Sequence, residues 1–262
     1  MILSHRHRFI FIHTRKVAGT SITAYLNRFM GPDDLQLGSW KDTLASGGSY
    51  NKRFVRDFIS PSGFFHVLKT ACIYTKNKRK SPRLKSLLGP AYKSLYSDKE
   101  TKMPLHRTAY TIMKFAPREW EQYFKFCFVR NPYARAVSDY NWRVKKHMRN
   151  RVSFTEFLER VNNPGRPDPE KVVPYPPTNW EMYTINDQIA VDYIGRLENI
   201  LDDMQEVCST IGIEFRSQDF PHARQKSKSG DRHAYRQWYS DYDRELAYRA
   251  YRKEIDHFGY EF

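Results

Sequence analysis

Residues 8–30 read RFIFIHTRKVAGTSITAYLNRFM, and this stretch decides the fold. Its first part, residues 8–13, is a short run of β-branched and aromatic residues, which is typical of a buried strand. Residues 14–19 follow as a loop. From Thr20 to Met30 the apolar residues recur at helical spacing, and Gly31-Pro32 ends the pattern. The chain is therefore predicted to open with a strand, a loop and a helix.

A second unit of the same kind begins at Phe124. Residues 124–129 are predicted to form a strand, and Asn131-Pro132 ends it. Pro132 suits the first turn of a helix that runs to about His147. A third strand is expected at residues 189–194. Strands that alternate with helices indicate an α/β fold with a central parallel sheet flanked by helices. We expect one domain over residues 1–262, with further helices near 84–88, 91–96, 106–115, 153–161, 200–211 and 239–258.

The first loop carries groups that suit an anion. Backbone N–H groups at a helix start, together with the helix dipole, form a ready anion site. Gly19 allows close backbone approach, Thr20 and Ser21 add hydroxyl donors, and Lys16 adds a charge. The alternative is that a hydroxyl only caps the helix and the lysine is solvated. The Walker A pattern is absent, so this is not an ATP-type phosphate loop.

The second unit places a cation at the matching edge of the sheet. Its strand delivers Arg130 to the carboxyl edge, where α/β proteins bind ligands, and the following helix carries Ser138. An arginine fork and a hydroxyl together suit a phosphate monoester. The alternative is a structural ion pair for Arg130 and simple helix packing for Ser138.

Four segments resemble the PAPS-dependent carbohydrate sulfotransferases, where PAPS is 3′-phosphoadenosine 5′-phosphosulfate. Residues 11–21 resemble the family's 5′-phosphosulfate loop, HIPKTGGTS, and residues 126–140 resemble its 3′-phosphate motif, FVRNPYDRLVSxY. Residues 193–199 and 256–260 resemble later family segments. The resemblance implies a sulfotransferase fold related to the P-loop nucleotide kinases. It also implies PAPS as sulfuryl donor, a hydroxyl of a carbohydrate or glycolipid as acceptor, and no required metal.

The resemblance also assigns residues to the nucleotide. The implied donor-binding residues are Arg15, Lys16, Ala18, Gly19, Thr20, Ser21, Arg130 and Ser138, with Arg224 and Lys226 in a late loop that closes over the nucleotide. The alternative for that late loop is a solvated basic surface segment. The chain departs from the family pattern at Arg15 (usually Pro), Val17 (usually Thr), Ala18 (usually Gly) and Ala134 (usually Asp). Because backbone N–H groups carry most of the binding in such a loop, we expect binding to survive.

Catalysis needs a cation at the leaving oxygen and a base at the acceptor hydroxyl. Lys16, the family's lysine by alignment, is the candidate cation. His106 resembles a recurrent histidine of related sequences and is the first candidate for the general base. His66 or an acidic residue is the alternative, since a lone histidine is more often structural.

The charge of the chain is strongly and unevenly basic. The formal net charge is +15, and between Lys41 and Tyr110 there are 15 Lys/Arg against 4 Asp/Glu. Residues 64–102 are interpreted as a basic, irregular insertion. One hypothesis is that it gathers an anionic acceptor, a polysaccharide or a glycolipid, and contacts a membrane peripherally. The alternative is a solvated loop.

Two other functions remain as alternatives. An ATP-dependent kinase would share the α/β fold, but this sequence lacks the Walker residues that such a kinase needs. A nucleic-acid-binding protein would explain only the charge. We therefore expect no nucleic-acid partner. The three cysteines, Cys72, Cys127 and Cys208, form no metal-ligand pattern, so no metal is expected. With no long apolar run and no signal-peptide core, a soluble cytoplasmic protein is expected, peripheral to a membrane if the insertion binds lipid.

Overall fold

The computed structural model describes residues 1–77, 84–96, 107–145, 152–221 and 233–262. Its strands are β1 (Ile2–Ser4), β2 (Phe9–Phe11), β3 (Leu35–Gln36), β4 (Phe124–Val129), β5 (Thr184–Ile185), β6 (Gln188–Ile189) and β7 (Tyr193–Arg196). Its α-helices are α1 (Gly19–Asn27), α2 (Trp40–Ala45), α3 (Lys52–Ile59), α4 (Pro61–Asn77), α5 (Leu84–Leu95), α6 (Ala109–Phe115), α7 (Pro117–Gln122), α8 (Pro132–Tyr140), α9 (Phe154–Asn162), α10 (Trp180–Tyr183), α11 (Ile200–Thr210) and α12 (Asp241–Phe258).

The central sheet has five strands in the order β3-β1-β2-β4-β7. Strands β2 and β4 are parallel, with Phe11 opposite Phe126, and β4 and β7 are parallel, with Val129 opposite Arg196. Strand β1 runs antiparallel to both of its neighbours. A separate hairpin pairs β5 with β6. The prediction of an α/β fold with a central, mostly parallel sheet flanked by helices is confirmed.

Strand β2 is wholly apolar and buried, and β4 is apolar except for Lys125, as expected of a sheet that is covered on both faces. Successive side chains point to opposite faces of a strand. Ile10 and Cys127 enter a core shared with α6, α7 and α10, whereas Phe11 and Phe126 enter a second core shared with α1 and α11. A third apolar cluster joins α8, α9 and α12 beyond the carboxyl edge of β4.

Several predicted elements need correction. The third parallel strand is Tyr193–Arg196: Ile189, where it was predicted to start, is the last residue of β6 in the hairpin, and residues 190–192 are in no strand. The stretch from residue 64, predicted to be irregular, lies in the long helix α4, and the two short helices predicted near 84–96 are one helix, α5. Strands β1 and β3 were not predicted. No helix in the described part of the chain is long and apolar enough to cross a membrane.

Candidate functional site

The site is built on the loop between β2 and α1, residues 12–18. The N–H of Ile12 donates to the main-chain oxygen of Phe126 at 2.9 Å. The buried hydroxyl of Thr14 donates to the main-chain oxygen of Phe128 at 2.5 Å. These two bonds fix the start of the loop at the carboxyl edge of β4, beside the second predicted phosphate-binding segment.

The loop brings backbone N–H groups to the start of α1. Lys16 and Ala18 both adopt positive φ, 61° and 59°, and Ala18 is the N-cap residue of the helix. Within the described chain no side chain caps α1, and its first turn holds no acidic residue. A nine-residue helix with an uncapped start and no local negative charge favours an anion at that end.

Position 19 requires glycine because the His13 ring lies against it. A Cβ atom built on Gly19 would lie 2.0 Å from Cδ2 and 2.1 Å from Nε2 of the His13 ring. The ring itself is buried and lies parallel to Phe11, at 5.9 Å between ring centroids. The close contact between ring and helix start therefore holds the loop in shape. This role of Gly19 adds to the close phosphate approach that the sequence suggested.

Arg130 leaves the end of β4 toward this loop. Its Nη1 donates to the main-chain oxygen of Lys16 at 3.5 Å. Burial lowers the pKa of Arg130 from its usual value, an effect that Glu198 opposes, and the guanidinium stays protonated near neutral pH. The two segments that the sequence assigned to phosphate binding thus meet at Arg130 and Lys16.

Asn131 starts the helix that carries Ser138. Its side-chain oxygen accepts from the N–H groups of Tyr133 and Ala134, at 3.0 Å and 3.5 Å, and so caps α8. Ser138 is half-buried on that helix. The helix runs directly into a π-helical turn, Asn141–Lys145, a form often found at functional sites.

Trp142 in this turn lies beside the predicted catalytic lysine. Nζ of Lys16 is 5.9 Å from the centroid of the indole ring, within range of a cation–π interaction. Lys16 is half-buried, so the residue is partly shielded from solvent. Trp142 could not be predicted from the sequence, because its approach to Lys16 depends on the π-helical turn.

The side chain of Arg15 is held by other groups of the protein. Its side chain is buried, with Nε 3.8 Å from Oδ2 of Asp139 and Nη2 donating to the main-chain oxygen of Pro177 at 3.2 Å. Asn179 contacts both the main-chain N–H and the main-chain oxygen of Arg15. Burial lowers the pKa of Arg15 to about 10, an effect that Asp139 opposes. These contacts hold Arg15, and with it the loop, in position.

A buried ion pair fixes α8 against α12. Arg135 donates to both carboxylate oxygens of Glu254, at 2.6 Å and 2.5 Å, and Tyr183 donates to the same carboxylate at 3.1 Å. Both charged side chains are almost fully buried. Sequence reasoning missed this pair, since its members lie 119 residues apart. The pair holds the helix that presents Ser138.

The two later segments that resemble the family meet next to Asn131. The N–H of Asn131 donates to Glu198 at 2.8 Å, and its side-chain amide donates to the main-chain oxygen of Glu261 at 2.9 Å. Arg196 donates to the main-chain oxygen of Phe258 at 3.0 Å, and Tyr260 donates to Glu198 at 3.3 Å. All four segments are thus packed around one edge of the sheet.

Of the residues predicted for the general base and the late loop, the structure describes His66 alone. His106, Arg224 and Lys226 lie outside the described residues. His66 lies on α4, where its Nδ1 is 2.9 Å from the hydroxyl of Ser94 on α5. Among the described residues there is no group of acidic, histidine or cysteine side chains that could hold a metal ion.

Comparison with known proteins decides the family. The model of the sulfotransferase family matches residues 1–261. The chain belongs to the sulfotransferase family. A curated relative, an uncharacterized protein of Archaeoglobus fulgidus, is 30% identical over 100 residues, which cover 36% of this chain and 72% of the relative. No solved structure matches this sulfotransferase family member.

Proposed function

We propose that the chain transfers a sulfuryl group from PAPS to a hydroxyl of a carbohydrate or glycolipid. Family membership supports sulfuryl transfer in general. The observation that carries the assignment of the donor is the meeting of Arg130 with the main chain of Lys16 at the uncapped start of α1. This arrangement offers two adjacent anion-binding groups at one sheet edge, as a nucleotide with separate 5′- and 3′-phosphates requires.

The donor-binding groups fall into two sets. The first set is the loop and helix start: Arg15, Lys16, Ala18, Gly19, Thr20 and Ser21. Its backbone N–H groups, with the helix dipole, would hold the 5′-phosphosulfate. The second set is Arg130 with Ser138, which would hold the 3′-phosphate through a charged fork and a hydroxyl. Arg224 and Lys226 are proposed to close over the nucleotide.

Lys16 is the proposed catalytic cation. In sulfuryl transfer the acceptor oxygen bonds to sulfur while the bond from sulfur to the bridging phosphate oxygen breaks, so negative charge grows on that oxygen. A protonated Lys16 placed there stabilises the transition state more than the ground state. The indole of Trp142 limits where the ammonium group can go. No metal is proposed in this step.

The acceptor hydroxyl must lose its proton to a base. His106 is proposed for this role, with His66 or an acidic residue as the alternative. The strongly basic charge of the chain suits an anionic glycan or glycolipid. A cytoplasmic location, a single domain over residues 1–262, and the absence of a nucleic-acid partner remain parts of the proposal.

Two measurements test the proposal in turn. Calorimetry with 3′-phosphoadenosine 5′-phosphate, ATP and duplex DNA should show tight binding of the first alone. Mass spectrometry of candidate glycans and glycolipids incubated with enzyme and PAPS should show addition of one sulfuryl group. Binding of ATP or DNA in preference to 3′-phosphoadenosine 5′-phosphate would favour the kinase or the nucleic-acid alternative.

A further inference from the structure

Helices α3 and α4 present apolar side chains to solvent. We call the set Val55, Ile59, Phe64, Phe65, Leu68 and Ile73 the α3–α4 face; these side chains are 49–77% exposed. Isolated exposed apolar residues are common on monomers, but a set of six on two consecutive helices is not. Such a set marks a surface that contacts something other than water.

The geometry of α4 explains why these residues point outward. Gly63 is buried, and a Cβ atom on it would lie 1.8 Å from the main-chain oxygen of Asp57. The side of α4 that carries Gly63 therefore packs directly against the end of α3. His66, whose ring nitrogen contacts the Ser94 hydroxyl, also faces the protein. Residues three and four positions apart share a helix face. Phe64, Phe65 and Leu68 thus share the opposite, outward face.

Basic residues surround the apolar ones. On α3 the exposed positions are Lys52, Val55, Arg56 and Ile59, so charge and apolar surface alternate at helical spacing. Lys69 is exposed among the apolar residues of α4. Arg56 pairs with Asp33 at 3.0 Å, but both side chains are more than half exposed, so the pair is weak.

The local charge is almost wholly of one sign. Residues 52–73, which carry the face, contain four Lys/Arg and one acidic residue, Asp57. That carboxylate is half-buried and accepts hydrogen bonds from Tyr92 at 2.8 Å and Tyr96 at 2.6 Å, so it faces the protein. A second copy of the chain docked on the same face would bring two basic surfaces together, which costs free energy. The charge instead complements an anionic surface.

We propose that the α3–α4 face docks on a lipid bilayer that contains anionic lipids. Its aromatic and aliphatic side chains enter the boundary between headgroups and acyl chains, and its Lys and Arg side chains contact the headgroup anions. Because the helices lie on the bilayer, the chain needs no spanning helix. The inference does not depend on the identity of the donor or acceptor.

Vesicle sedimentation tests this directly, without any nucleotide. Wild-type protein should sediment with vesicles of phosphatidylcholine and phosphatidylserine, and much less with phosphatidylcholine alone. The double variant Phe65→Ser/Leu68→Ser should bind the vesicles at least about tenfold more weakly than wild type, because it removes the inserting side chains. The double variant Leu201→Ser/Tyr242→Ser, which removes exposed apolar side chains away from this face, is the matched control and should bind like wild type.

A second double variant tests how much the basic side chains contribute to membrane binding. Lys52→Gln/Lys69→Gln should lose part of the preference for phosphatidylserine, and its binding should depend less on salt. Equal thermal unfolding of all variants shows that the fold is intact. Failure of the wild type to bind anionic vesicles at low salt would overturn the proposal. So would sedimentation velocity showing a dimer that Phe65→Ser/Leu68→Ser dissociates, since the face would then contact a second copy.

Discussion

The guanidinium of Arg130 donates a hydrogen bond to the main-chain oxygen of Lys16, with a donor–acceptor distance of 3.5 Å. These residues are 114 positions apart, and each lies in a different strand-to-helix connection. Strands β2 and β4 are adjacent and parallel, so both connections leave the same edge of the sheet. This contact joins the two segments that we assign to the two phosphates of the donor.

Gly19→Ala should destabilise the fold and weaken nucleotide binding. The new methyl group would overlap the His13 ring, so the ring or the helix start must move, at a cost of about 1–3 kcal/mol. Urea unfolding measures this cost. Gly89→Ala is the control, because a Cβ atom there meets open space within a helix. A double variant with His13→Ala should recover part of the loss, and no recovery would show that the ring is not the cause.

Lys16→Ala should slow chemistry more than it weakens binding. Loss of a cation that acts mainly in the transition state should lower kcat by about 10²–10³-fold. Affinity for 3′-phosphoadenosine 5′-phosphate should fall much less, as measured by calorimetry. Lys41→Ala, at an exposed position on α2, should behave like wild type. An unchanged kcat with a raised KM would make Lys16 a binding residue and refute the mechanism.

His106→Ala tests the proposed general base. It should lower kcat by about 10²–10⁴-fold and leave nucleotide affinity near that of wild type. The acidic limb of the pH–rate profile should vanish, because it reports loss of the imidazole proton. Full activity in this variant would move the role to His66 or to an acidic residue, and His66→Ala would then be measured in the same way.

Glu254→Gln should destabilise the protein strongly while keeping the side-chain shape. The guanidinium of Arg135 would remain buried without its counter-charge, which costs about 3–5 kcal/mol. Urea unfolding of Glu245→Gln is the control, since its pair with Arg249 is exposed and should contribute about 0.5 kcal/mol or less. Equal effects of the two variants would mean that the buried pair does not hold α8.

The sequence predicted the parts of the fold that depend on local pattern. Strands β2 and β4 were recognisable because burial on both faces favours apolar runs, and only Lys125 in β4 breaks the pattern. Strand β7 was misplaced because the largely apolar stretch from Ile189 to Ile194 contains both the last residue of β6 and the start of β7, and hydrophobicity does not mark the division. Helix α4 was read as irregular because its apolar residues occur on both its packed and its exposed sides, which hides the helical period.

The candidate site was predicted in outline but not in detail. The sequence placed Lys16 and Arg130 at one sheet edge, because parallel strands end together. It could not tell that Arg15 points into the protein, since that depends on Asp139 and Pro177, which are distant in the chain. The roles of Trp142 and of the pair Arg135–Glu254 could likewise not be predicted from the sequence, because their contacts arise from tertiary packing.

We propose that the β2–α1 and β4–α8 connections bind the two phosphates of one nucleotide. Calorimetry of Arg130→Ala with 3′-phosphoadenosine 5′-phosphate tests it most directly. The variant deletes the charged fork that we assign to the 3′-phosphate, so affinity should fall by about 2–4 kcal/mol. Ser138→Ala, which removes one neutral donor, should cost about 0.5–1.5 kcal/mol. Arg249→Ala, an exposed arginine on α12, should bind like wild type. If wild type binds the nucleotide and Arg130→Ala binds it equally well, the assignment of this site is contradicted.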